Sequence, residues 1–155
     1  MPSTRLTIER LQADFPEFRF MRAKEFWWSA AQGTVYIDPD IENGHAYTLH
    51  ELSHALLDHK GYERDVELLK LERDAWEHAQ AVLAPKYGIG IEKDVVQDNL
   101  DTYRHWLHAR SACPECEAIG IQARNHLYRC VACNYSWRVN EARLCALRRY
   151  SLQTK

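Results

Sequence analysis

Four cysteines, in the turns "CPEC" at 113–116 and "CVAC" at 130–133, constrain this chain more than any other feature. A Cys-x-x-Cys turn points two thiolates at one ion, and two such turns, here thirteen residues apart, complete a tetrahedral set of four. The C-terminal third must therefore fold back until Cys113, Cys116, Cys130 and Cys133 meet. The spacer "EAIGIQARNHLYR" and the following "NYSWRV" alternate in the manner of short strands, so the segment reads as a small four-cysteine zinc ribbon over 111–140. Four ligands leave no open position, which makes this zinc structural. Cys145 is surplus to the set and is read as a small buried residue of a short basic C-terminal helix or tail over 141–155, helical from Glu141 to Tyr150.

Charge draws a similar border. Residues 1–102 hold 11 basic against 19 acidic side chains, and residues 103–155 hold 9 against 3, within a chain whose net charge is only −2. A change of sign on that scale argues for two modules with different neighbours. At 155 residues there is room for one sizeable core and a small appended module. No apolar run approaches the roughly 18 residues of a membrane span, and the start "MPSTRLTIERLQADF" has no apolar signal core. A cytoplasmic protein without a membrane partner is expected, and in a reducing compartment clustered cysteines bind metal rather than form disulfides.

The first 110 residues read as α+β. A short helix is expected over Ser3–Asp14, then strands in "FRFMRAKEFWWSAAQGTVYID", with a hairpin turn at Gln32–Gly33. A helix follows from about His45 to His59, stopped by Gly61. Another covers about Arg64–Ala84, ending before Pro85, and a third covers about Glu92–Arg110.

The helix from His45 carries "HELSH" at 50–54. Residues four apart lie about 40° apart on a helix, so His50 and His54 can face one ion. Zinc takes imidazole nitrogen at about 2.0–2.1 Å, and a catalytic zinc keeps one position for water. Glu51, about 100° round, is placed to act as general base on that water. Leu49, Leu52, Leu56 and Leu57 make this helix apolar nearly all round, so it should be buried. A buried glutamate and two buried histidines cost several kcal/mol without a partner, and a metal removes that cost.

A third ligand is required. His59 follows His54 by five residues, about 140° off the ligand face of a continued helix, and reads instead as a C-terminal residue favoured by the macrodipole. Glu72 is the stronger candidate. On a helical wheel Leu69, Ala75, Trp76, Ala79 and Leu83 all fall within about 60° of it, so it stands inside an apolar stripe, with Asp74 on the opposite side.

"YTLHELSHALLDH" followed by "ERDAWEHAQAVLAP" resembles the ImmA/IrrE family of metallopeptidases over roughly residues 34–85. The resemblance implies a zincin-like core, with a small mixed sheet, an HExxH helix and following helices. Glu72 matches the family's ligand glutamate, and Ala75 and Ala79 match its two alanines. His78 stands where phenylalanine is usual, and Trp76 where asparagine is common. The strand "TVYID" precedes the site helix as in such folds, and its edge is expected to pair an extended substrate peptide.

The expectation is thus a metallopeptidase domain over 1–110, in which His50, His54 and Glu72 hold a catalytic zinc and Glu51 is the base. The reaction is hydrolysis of peptide bonds by a zinc-bound water. Tyr62, His78 and Tyr87 are candidates for stabilising the oxyanion. With the ribbon this makes two zinc ions. The resemblance implies a regulatory intracellular protease acting on a protein such as a DNA-bound repressor. Two alternatives stand beside it. A SprT-like DNA-associated protease also joins HExxH to a ribbon, though its third ligand is a histidine typically followed by glycine. A non-catalytic adaptor would keep the zinc without turnover. Arg124, Arg129, Arg138, Arg143, Arg148 and Arg149, with Tyr128, Tyr135 and Trp137, make nucleic acid a candidate partner of the basic end.

Overall fold

The computed structural model describes residues 5–141 and 147–152, in a mixed α+β arrangement with two small sheets. The chain divides into two compact units: Met1–Gly61 with Leu71–Gln97, and Tyr62–Lys70 with Asp98–Lys155. The border differs from the one expected near residue 110, because residues 62–70 and 98–110 belong with the ribbon.

In the first unit, α1 (Ile8–Asp14) starts later than expected because Thr7 caps it, its hydroxyl accepting from the Arg10 N–H at 3.1 Å. Strands β1 (Arg19–Arg22), β2 (Trp27–Ser29) and β3 (Thr34–Ile37) form a sheet in the order β1-β3-β2. The β2–β3 hairpin turns where Gly33 takes φ +60°, as the Gln32–Gly33 signal suggests. β3 is central, parallel to β1 and antiparallel to β2. "TVYID" therefore lacks the open edge expected of it, since Phe20 of β1 buries beside Leu11 and Val35 and brings a strand to its second side.

Helix α2 (Gly44–Leu56) is buried through Thr48, Leu49, His50, Leu52, Ser53, His54 and Ala55, but not all round as its apolar run suggested: Leu56 is half-buried, and Leu57, just past the helix, is 39% exposed. Its start is fixed by the 38–43 loop. Arg22 and Arg5 pair with Asp38 and Asp40, and a Cβ at Gly44 would stand 2.4 Å from the Asp38 carbonyl oxygen. Its end comes before Gly61. Asp58 takes φ +54°, and the N–H groups of Asp58 and His59 bond back to the carbonyls of Ala55 (3.1 Å) and His54 (2.9 Å). This Schellman reversal satisfies carbonyls that a helix end leaves open.

Helix α3 (Asp65–His78) runs through a π turn (Ala79–Leu83) into α4 (Ala84–Tyr87). The helical path does not end before Pro85, because the π turn resets the hydrogen-bond ladder. Pro85 then lies in the first turn of α4, where its missing N–H costs nothing. Of the stripe, Ala75, Trp76, Ala79 and Leu83 are buried and Leu69 is half-buried.

Helix α5 (Lys93–Ser111) leads into an antiparallel meander of β4 (Ile121–Arg124), β5 (Leu127–Arg129), β6 (Ser136–Val139) and β7 (Arg149–Ser151). The last strand replaces the C-terminal part of the helix expected over Glu141–Tyr150: residues 149–151 pair with Val139, Arg138 and Trp137 and so complete the open side of β6. Residues 142–146, with Cys145, lie outside the described residues. The small core holds Tyr128, Trp137 and Val139 with Cys113 and Cys130. Gly120 has to be glycine, since a Cβ there would meet Trp137 Cη2 at 2.5 Å.

One buried ion pair ties residues 62–70 and the end of α5 to the ribbon. Asp65 and Arg110 are each 1% exposed, with Arg110 Nε donating to Asp65 Oδ2 at 2.8 Å. The Tyr128 hydroxyl donates to the same oxygen at 2.6 Å, and Trp137 Nε1 donates to the Arg110 carbonyl at 3.0 Å. The Arg110 guanidinium also donates to the Asn140 carbonyl and lies 4.7 Å from the centre of the Trp106 ring. Burial and the adjoining Asp65 carboxylate push the Tyr128 hydroxyl well above the usual phenol range.

Candidate metal centres

The two Cys-x-x-Cys turns have the same backbone construction. The N–H of Glu117 bonds to the Cys113 carbonyl at 2.9 Å, and that of Asn134 to the Cys130 carbonyl at 3.0 Å. The N–H of Cys113 bonds to Ala118 and that of Cys130 to Tyr135, both at 2.8 Å. Glu117 and Asn134, each just after its second cysteine, take φ of +66° and +65°. Backbone N–H groups point at sulfur two residues back: Ala118 at Cys116, Ala132 at Cys130 and Tyr135 at Cys133. The Cys133 N–H also points at Cys130, and with the Ala132 N–H and the neighbouring thiols it brings that thiol down to about 7 against desolvation, while the hydrogen-bonded thiols of Cys116 and Cys133 are pushed up. Cys113 Sγ lies 3.6 Å from Cys133 Sγ, and Cys116 Sγ lies 3.5 Å from Cys130 Sγ. All four sulfurs fall within 4.8 Å of one another, so the group could hold a metal ion. Tetrahedral zinc with bonds of about 2.3 Å sets its sulfurs about 3.8 Å apart, close to these spacings.

The second centre lies in the first unit. His50 Nε2 is 2.8 Å from Glu72 Oε2, His54 Nε2 is 3.3 Å from Glu72 Oε1, and the two Nε2 atoms are 3.2 Å apart. Zinc bonds of about 2.0–2.1 Å in a tetrahedron would set such atoms about 3.3 Å apart. Glu51 Oε1 stands 3.9 Å from His50 Nε2, and His50, Glu51 and His54 form a group that could hold a metal ion. Trp76 stacks on the His50 ring with centroids 4.1 Å apart, and His50 Nδ1 is buried with no hydrogen-bond partner among the described residues. The Asp74 carboxylate lies 3.5 Å from Arg73.

The charges are mutually adjusted. Burial alone would raise the Glu72 carboxyl, but hydrogen bonds and charge from His50 and His54 outweigh it and hold the group well below the usual carboxylate range. Burial pulls the His54 ring down, while Glu72 and Glu51 more than offset this, so its net shift is upward. Glu51 moves up, because desolvation and the Glu72 charge exceed the opposing pull of the two histidines.

His59 has a place that its spacing did not suggest. Its Nδ1 lies 2.8 Å from Nδ1 of His54, and its carbonyl accepts from Trp28 Nε1 at 2.9 Å. The left-handed residue Asp58 turns the chain off the helical path, so the 140° offset of a continued helix does not apply. The signal available in sequence was "LLDHKG", a short polar stop that a Schellman reversal can use. By fixing the far nitrogen of His54, His59 directs Nε2 toward Glu72. His59→Ala is expected to weaken zinc binding at this centre about 10–100-fold without affecting the cysteine site, read by competition with a chromophoric chelator. Unchanged affinity would remove His59 from this role.

The oxyanion candidates separate. The Tyr87 hydroxyl donates to Asp14 at 2.6 Å, and burial with that contact pushes it well above the usual phenol range, so it is committed elsewhere. His78 Nδ1 lies 3.0 Å from Ser53 Oγ, with its pKa lowered by burial. Tyr62 belongs to the second unit. A cleft of about 990 Å³ at the start of α2, lined in part by Asp40, Asn43 and His45, includes none of His50, Glu51, His54 and Glu72.

No family model matches the chain, and neither a curated protein nor a solved structure does. No helix among the described residues is long and apolar enough to cross a membrane.

Proposed function

We propose that this protein is a zinc-dependent metallopeptidase with a zincin-like core, of the kind the ImmA/IrrE resemblance implies, carrying a second, structural zinc in its ribbon. The observation that carries this reading is the cluster of His50 Nε2, His54 Nε2 and the Glu72 carboxylate, whose Oε2 lies 2.8 Å from His50 and whose Oε1 lies 3.3 Å from His54, with the Glu51 carboxylate beside it. Zinc, when bound, supplies a Lewis acid that activates water and polarises a carbonyl. Glu51 accepts the proton of the attacking water and delivers it to the leaving amine, its carboxylate standing beside His50. The substrate is a protein, and a regulatory role on a DNA-bound repressor follows from the resemblance. A SprT-like assignment needs a third histidine ligand, and His59 approaches Nδ1 of His54 rather than the Nε2 vertex, which leaves Glu72 as the better third ligand.

The test is to incubate the zinc-loaded protein with a complex peptide mixture and label new amino termini. The expected result is a set of cleavages that a chelator removes and added zinc restores. A cleavage pattern identical to that of Glu51→Gln would contradict the proposal.

A further inference from the structure

The ribbon sheet has an exposed face that peptide hydrolysis does not use. Strand register sets Arg124, Leu127, Arg138 and Tyr150 in one cross-strand row over β4 to β7. Two positions along β5 and β6, and three along β4, where the register shifts between Gln122 and Arg124, Ile121, Arg129 and Ser136 form a second row. Side chains alternate along β5 and β6, and the register shift in β4 takes up its extra residue, so these rows share a face, while the row between them turns Tyr128 and Trp137 into the core. Arg124, Arg129 and Arg138 are exposed, and Tyr150 and Ile121 are 41% and 61% exposed.

Neither row contains an aspartate or glutamate. Arg129 Nε donates to the neutral Asn134 side chain at 2.8 Å, and the Arg138 guanidinium lies 5.1 Å from the centre of the Tyr150 ring. Arg124 has no side-chain partner among the described residues. Three arginines thus stand on one face, with no carboxylate in either row to neutralise them. Arg124 and Arg138, two strands apart, are about 10 Å from each other at the backbone.

We propose that this face binds single-stranded nucleic acid, with phosphates on Arg124, Arg129 and Arg138 and a base stacked on the Tyr150–Arg138 pair. An acidic peptide would answer the charge but has no use for an exposed ring already paired with a guanidinium. A duplex would answer the charge too, but it keeps its base faces stacked inside. An unstacked base offers a π-face to Tyr150, and base–aromatic stacking with arginine alongside is how strands are bound without reading sequence. The proposal stands independently of hydrolysis, since Glu51 and its neighbours belong to the first unit.

The experiment is fluorescence anisotropy of the full zinc-loaded chain with a labelled oligothymidine of about 20 nucleotides, a DNA hairpin duplex and polyglutamate as probes. Oligothymidine should bind more tightly than the other two, with a log–log salt slope near −2, as about three phosphate contacts on a single strand give. Arg124→Gln with Arg138→Gln should flatten that slope by about one to one and a half. Tyr150→Ala should weaken binding about five-fold or more, and Tyr150→Phe should restore it. Arg124→Gln alone, at an exposed and unpartnered position, keeps the test decisive if another variant loses its ribbon zinc; it should flatten the slope by about 0.7. Absence of salt-dependent oligothymidine binding, preference for duplex or polyglutamate, or indifference to Tyr150→Ala or to Arg124→Gln would each overturn the proposal.

Discussion

Glu51→Gln is expected to lower peptide hydrolysis by about 10²–10⁴-fold and to leave the metal content unchanged, because it removes a base and no ligand. The amide is nearly isosteric with the carboxylate and fits the same partly buried place, 13% exposed, beside His50. It cannot accept a proton at neutral pH. Initial rates on a peptide identified as a substrate, with zinc content measured on the same samples, separate the outcomes. A variant that keeps both its zinc and its rate would show that Glu51 is not the base.

Asp65→Ala is expected to destabilise the second unit by about 3–5 kcal/mol, the cost of leaving a buried charge without its partner. Arg110 is 1% exposed, and its guanidinium cannot swing to water without giving up Asn140 and the Trp106 ring. Tyr128 loses its acceptor in the same step. Denaturant unfolding followed by tryptophan fluorescence reports the loss through Trp106 and Trp137, with zinc held in excess. Replacing Asp65 and Arg110 together by apolar residues should cost less than Asp65→Ala alone, since no uncompensated charge remains. A loss under about 1 kcal/mol in Asp65→Ala would mean that this pair does not hold residues 62–70 and α5 to the ribbon.

What could be read from sequence was set by short-range rules. The cysteine turns fix their own geometry, so the four sulfurs meet as their spacing demands. The apolar faces of α2 and α3 carry His50, His54 and Glu72 inward because helix periodicity leaves them no other side. Three things were not readable, each for a long-range reason. The place of β3 depends on a parallel partner from β1, which alternation within a strand does not specify. His59 reaches His54 only because one left-handed residue breaks the helical phase that the wheel assumes. Arg110 is only the last residue of the helix expected over Glu92–Arg110, and its burial depends on Asp65, forty-five residues earlier. The strand at Arg149–Ser151 was masked in the same way, since a basic run gives no β signal and its pairing with β6 supplies the structure.

The most direct measurement for the central claim is the zinc content of the purified protein and two variants, by native mass spectrometry. The claim is that one ion is shared by His50, His54 and Glu72, apart from the cysteine site. The parent should carry two zinc ions per chain, Glu72→Ala one, and Asp74→Ala two, because helical phase sets Asp74 about 160° round α3 from Glu72. Glu72→Ala retaining both ions, or Asp74→Ala losing one, would contradict it.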